Sequence, residues 1–175
     1  MTVWLFSGRA KFLSIANDPR MVFSELYLQL GESHLVPLLS TISLGKLKTF
    51  QMFDRLKTRL HLTKLNNESL KKVAPRVWAR LGKQEEALGQ DLAQSILVSN
   101  LDMIKSVLDF LAVPHEDGFF AKDIEAAKYL VGDWQPRVYA EFRGKYPDAL
   151  LVFYVNHLAF ELLESPAFVP MTSQG

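Results

Sequence analysis

His157 and Glu161 stand four residues apart near the end of the chain, and on a helix that spacing puts both side chains on one face. An imidazole beside a carboxylate is half of a metal site, or a base oriented for proton transfer, with Tyr154 as a polar lining nearby. A metal needs at least one more ligand from another segment, and the remaining imidazoles are His34, His61 and His115. A His–Glu hydrogen bond on an otherwise apolar helix explains the same pair without any ligand. One pair falls short of a ligand set, so the packing explanation is favoured.

A second polar group, His115–Glu116–Asp117–Gly118, gathers three side chains in one loop, and loops on rigid scaffolds often carry function. Asp-Gly is also ordinary turn chemistry, and the turn is the stronger reading. A third group is cationic. Lys48, Arg55 and Arg59 share one side of a helix expected over about Gly45–Leu62, and Lys72, Arg76, Arg80 and Lys83 share one side of the next. Such stripes suit an anionic partner, and against nucleic acid they would give strongly salt-dependent binding.

The charge layout offers a different partner for these stripes. Residues 46–83 carry eleven Lys/Arg against two Asp/Glu, a net of +9. Residues 84–125 carry nine Asp/Glu against two Lys, a net of −7. The acidic stretch can answer the basic one within a chain or across a dimer, or both can be solvated faces. With a whole-chain charge of only +1, a dedicated nucleic-acid binder is not favoured.

Several chemistries are excluded outright. With no cysteine there is no disulfide, thiolate metal site or Cys nucleophile. Neither common Gly-rich phosphate cradle occurs, nor a nucleophile elbow, a His-Glu-x-x-His pair or the Glu-x-x-His of di-iron bundles. Nothing in the sequence calls for a cofactor. The start lacks a secretory pattern, and the longest uncharged apolar run, Ala149–Phe160, is short of the roughly 20 residues of a membrane span. A soluble, cytoplasmic protein is the expectation.

These residues must be positioned by helices. Leu92–Val113 contains no Gly or Pro and repeats Leu97, Leu101, Ile104, Leu108 and Leu111 at helical spacing. It reads as one long helix or as two joined at Ser99–Asn100, where Ser99-x-x-Asp102 resembles a capping box. Upstream, Asp18–Pro19 predicts a helix start and Gly31 its end. Leu70, Val73, Val77 and Leu81 form an apolar stripe, with Pro75 expected to break the helix that carries it. Downstream of Pro114, helices are predicted over about Lys122–Val131, from an Asp133 cap to about Tyr146, and from an Asp148 cap over Ala149–Glu164. The last is apolar nearly all round and belongs at the centre of a bundle.

The chain thus reads as all-α: one helical domain over residues 1–165, a multi-helix bundle of seven to nine helices with short loops, and a joint at 82–89. Residues 166–175 read as a loose tail. The apolar ends, Val3–Phe6 and Ala167–Met171, lean toward docking on a second copy. The leading expectation is a non-enzymatic interaction or scaffold module that self-associates or binds another protein. The alternatives are a small-molecule site near His157 and Glu161, with His115, and nucleic-acid binding through 46–83.

Overall fold

The computed structural model describes residues 23–43, 67–161 and 168. Among them the fold is all-α, with seven α-helices and one two-stranded hairpin. The helices are α1 (Phe23–Leu30), α2 (Leu35–Leu39), α3 (Asn67–Gly82), α4 (Glu86–Ser99), α5 (Leu101–Phe110), α6 (Trp134–Phe142) and α7 (Asp148–Glu161). Strands β1 (His115–Glu116) and β2 (Phe119–Phe120) pair antiparallel between α5 and α6. The predicted start at Asp18–Pro19, the helix over Gly45–Leu62 and Val3–Phe6 lie outside the described residues. None of the described helices is long and apolar enough to cross a membrane.

Two compact units divide the chain between Asn100 and Leu101. In the unit holding α1–α4, α1 packs on α3 and α4, and α2 packs on α3. Helix α1 ends at Gly31, as predicted, with φ +90° there. The stripe Leu70, Val73, Val77 and Leu81 is buried, and Lys72, Arg76 and Lys83 are exposed. The break expected at Pro75 does not occur: α3 runs through it. Pro75 and Lys71 both face solvent, so the Lys71 carbonyl that loses its helical donor can turn to water.

The crossing of α1 and α4 depends on a missing side chain. A Cβ at Gly89 would lie 2.9 Å from Phe23 Cβ and 3.1 Å from the Ser24 backbone nitrogen. Beside it, Tyr27 donates from its hydroxyl to the Gly89 carbonyl at 2.7 Å, and Glu86 Oε2 accepts the Phe23 N–H at 2.8 Å. Glu86 therefore satisfies a backbone donor at the start of α1 from another helix. Gly89→Ala is expected to lower the unfolding free energy by about 1–3 kcal/mol despite alanine's better helix propensity, as read by urea denaturation. An unchanged midpoint would show that the two helices separate without strain.

The long ridge is two helices. Asn100 leaves the helical region (φ −127°, ψ 35°). The capping box is not formed: Ser99 Oγ donates to the Ser95 carbonyl at 2.7 Å and accepts the Ser43 N–H at 3.0 Å. Asn100 Nδ2 donates to the Ile96 carbonyl at 2.7 Å and to Thr41 Oγ1 at 3.1 Å. The two residues end α4 and clasp the chain after α2.

In the unit that begins at Leu101, α5 packs on α6 and α6 on α7. Phe119 and Phe120 form strand β2, ahead of the segment predicted to be helical from Lys122. Asp117 (φ +52°) and Gly118 (φ +91°) make the two-residue turn with both residues left-handed, which suits the right-handed twist of a hairpin. A Cβ at Gly118 would also press on Ile104 and Leu101 of α5 at 3.4 Å. The helix predicted over Lys122–Val131 shrinks to one 3₁₀ turn, Ala126–Lys128, because Asp123 takes φ +62°. Asp133 precedes α6 but makes no side-chain cap, and α6 stops at Phe142 rather than near Tyr146, since Arg143 is extended (φ −57°, ψ 134°). Helix α7 includes Asp148 as its first residue, and Ala149 to Ala159 are all buried.

Candidate functional site

His115 is built into the hairpin. Its Nδ1 accepts the Gly118 N–H at 3.2 Å, so the neutral ring carries its proton on Nε2 and donates to Asp109 Oδ1 at 3.0 Å. An aspartate behind an imidazole is the arrangement that orients a catalytic base, but here the other nitrogen is occupied by the turn it closes. Next to it Lys105 pairs with Asp117 at 3.2 Å. His115 and Asp117 are thereby tied to α5, while Glu116 faces solvent.

His157 lies in the middle of α7, 2% exposed, its ring 6.1 Å from that of Phe153. Burial lowers its pKa from 6.5 to about 4, so the ring is neutral at physiological pH. The Glu161 side chain lies outside the described residues, and so does His61. His34 is placed at the 3₁₀ turn before α2, its Nδ1 3.4 Å from Ser33 Oγ. Among the described residues no group of three or more His, Asp or Glu side chains is placed to hold a metal ion.

An open cleft of about 320 Å³ lies between Pro114 and the loop Ala121–Glu125, with Lys128 and Tyr129 on its rim. Of its charged residues, Lys128 pairs with Glu125 at 3.0 Å, while Lys122 and Asp123 are exposed. A crevice beside Tyr27, His34 and Leu38 has no room for a water molecule. Neither is lined by His157 or His115.

The cationic stripe of α3 behaves differently. Arg80 is half-buried and turned into a pair with Glu85, Nε to Oε2 at 2.9 Å. Lys72, Arg76 and Lys83, with Lys71 beside them, are exposed, and no described carboxylate lies within ion-pair distance of any of them. In the other unit Lys105 pairs with Asp117, Lys128 with Glu125 and Lys145 with Glu141, while Lys122 is exposed with no described carboxylate in ion-pair range. Arg137 stacks over Phe110 at 5.8 Å. Lys48, Arg55 and Arg59 lie outside the described residues.

One polar site escaped the sequence reading. Asn156, 1% exposed in α7, holds the backbone of Phe168 through both ends of its amide. The signal was present as a lone amide in an apolar helix, but its partner lies twelve residues on in a segment without periodicity. The tail expected to be loose is therefore fixed at Phe168.

Comparison with protein-family models, with curated proteins and with solved structures finds no match.

Proposed function

We propose that the chain is a non-enzymatic helical interaction module whose contact surface is the cationic face of α3, Lys71, Lys72 and Arg76, with Lys83 just past its end. The observation that carries this reading is that these four cations stand exposed close together in sequence with no described carboxylate in ion-pair range. A row of like charges at helical spacing repels itself mildly, and an acidic partner relieves that repulsion.

A second copy is the favoured partner. The chain carries its own acidic complement, and Asp102, Glu116 and Asp123 are exposed with no described cation in range. Exposed pairs are individually weak, so association should draw on several at once and loosen with salt. The triple variant Lys72→Glu, Arg76→Glu, Lys83→Glu is expected to cut self-association at least tenfold in low salt and to leave the helical circular dichroism unchanged. Association that survives the triple variant contradicts the reading. Retention of a labelled DNA duplex by the parent chain, lost in the variant, would transfer the face to nucleic acid.

The histidines then serve packing. In this reading His115 fixes the hairpin and His157 fills α7, and neither binds a substrate.

A further inference from the structure

We propose that the cleft between Pro114 and the loop Ala121–Glu125 binds a small zwitterion with an apolar side chain, and that an aromatic α-amino acid is the class it fits best. Its volume of about 320 Å³ falls at the lower end of the roughly 300–1,000 Å³ that small-molecule sites occupy. Four charged side chains line it, two of each sign: Lys122, Asp123, Glu125 and Lys128. Lys128 and Glu125 neutralise each other at 3.0 Å. Lys122 and Asp123 are exposed, and no described group of opposite charge lies within ion-pair distance of either. The cleft therefore offers one open cation and one open anion, from adjacent residues, in a lining of zero net charge.

That balance selects the ligand class. A simple anion such as phosphate gains Lys122 but meets the like charges of Asp123 and Glu125, and a simple cation meets the converse. An α-amino acid carries ammonium and carboxylate on one carbon, so it answers Asp123 and Lys122 together. Exposed ion pairs are individually weak, so a third contact must come from apolar surface. Ile124, half-buried in the same wall, and Tyr129 on the rim supply it. Tyr129 is 37% exposed, which leaves its ring partly uncovered for an aromatic side chain to pack against.

The backbone shapes the cleft. Asp123 takes φ +62°, a left-handed conformation that costs most residues more than it costs aspartate or asparagine. This turn ends the helix that the composition of 122–131 would otherwise favour, and so leaves a loop opposite Pro114. The Ala121 N–H donates to the Pro114 carbonyl at 3.1 Å and ties the two walls together.

The test is a proton–nitrogen NMR titration of the full chain with L-phenylalanine, with phenethylamine (no carboxylate) and 3-phenylpropionate (no ammonium) as controls. L-Phenylalanine is expected to saturate with a Kd in the low millimolar range or below, with shifts concentrated at residues 121–129. Each control should bind at least tenfold more weakly. Lys122→Gln and Asp123→Asn should each weaken L-phenylalanine binding at least tenfold. Asparagine keeps the left-handed turn and removes only the charge, so the second loss does not arise from a collapsed loop. The variant Lys72→Glu, Arg76→Glu, Lys83→Glu should bind L-phenylalanine as the parent chain does, which separates this site from the α3 surface. Absence of saturable shifts up to 10 mM, binding of either control equal to that of L-phenylalanine, or binding unchanged in Lys122→Gln and Asp123→Asn overturns the proposal.

Discussion

Asn156→Leu is expected to lower the unfolding free energy of the chain by roughly 2–4 kcal/mol in urea denaturation. Leucine matches asparagine in branching and heavy-atom count and is bulkier, so the change opens no cavity while it removes every hydrogen bond of the amide. Three hydrogen bonds disappear: to Val152, and to the carbonyl and the N–H of Phe168. The Val152 carbonyl keeps its place in the helical ladder, but Phe168 loses the partner of both its backbone groups. Desolvating two such groups outweighs the small gain from burying leucine, because each unmade bond costs about 1–3 kcal/mol in a dry site. Asn156→Asp should be worse than leucine, since it deletes both donors and places a carboxylate where exposure is 1%. A loss below about 0.5 kcal/mol for Asn156→Leu would show that the clasp contributes nothing to stability.

The second large effect is in pH. An unfolded histidine titrates near 6.5 and His157 in place near 4. Between those values the unfolded chain takes up a proton that the folded chain refuses. Stability from this group is therefore complete above about 6.5 and drains away as pH falls toward 4, by roughly 3 kcal/mol. Glu86 runs the other way. Burial raises its pKa, with the Phe23 and Gln90 hydrogen bonds opposing, so acidification relieves a buried charge there. The clean quantity is thus the difference between the parent chain and His157→Leu, in which Glu86 cancels. The parent should lose roughly 3 kcal/mol relative to the variant between pH 7 and pH 4. Parallel stability curves would mean that the ring is protonated in the folded chain.

What the sequence revealed follows from how local each feature is. The buried stripe of α3 and the all-round burial of α7 were legible because helical periodicity is a property of neighbouring residues. The interruption at Asn100 was legible only as one of two alternatives, since the partners that fix it, Thr41 and Ser43, lie far away in sequence. Pro75 misled because the rule that proline breaks helices assumes a buried carbonyl, and here the freed carbonyl belongs to exposed Lys71. The segment 122–131 misled because its composition suits a helix, whereas Asp123 adopts a left-handed backbone that ends any helix through it.

The candidate sites divide in the same way. The outward face of α3 could be read from spacing alone. That Arg80 leaves it for Glu85 could not, although five residues separate them, because the pairing depends on how the chain turns between α3 and α4. The roles of His115 and His157 were open from spacing. Asp109 and Gly118 take both ring nitrogens of the first, and burial keeps the second neutral near pH 7. Asn156 was visible only as an oddity, since the residue that explains it lies beyond the last helix.

Sedimentation velocity of the parent chain at tens of micromolar, in 20 mM and then 500 mM NaCl, addresses the α3 surface most directly. The expected result is a species heavier than the 19.9 kDa monomer in low salt, one that shifts toward monomer in high salt and is missing from Lys72→Glu, Arg76→Glu, Lys83→Glu. A strict monomer at both salt concentrations, indistinguishable from the triple variant, would contradict it.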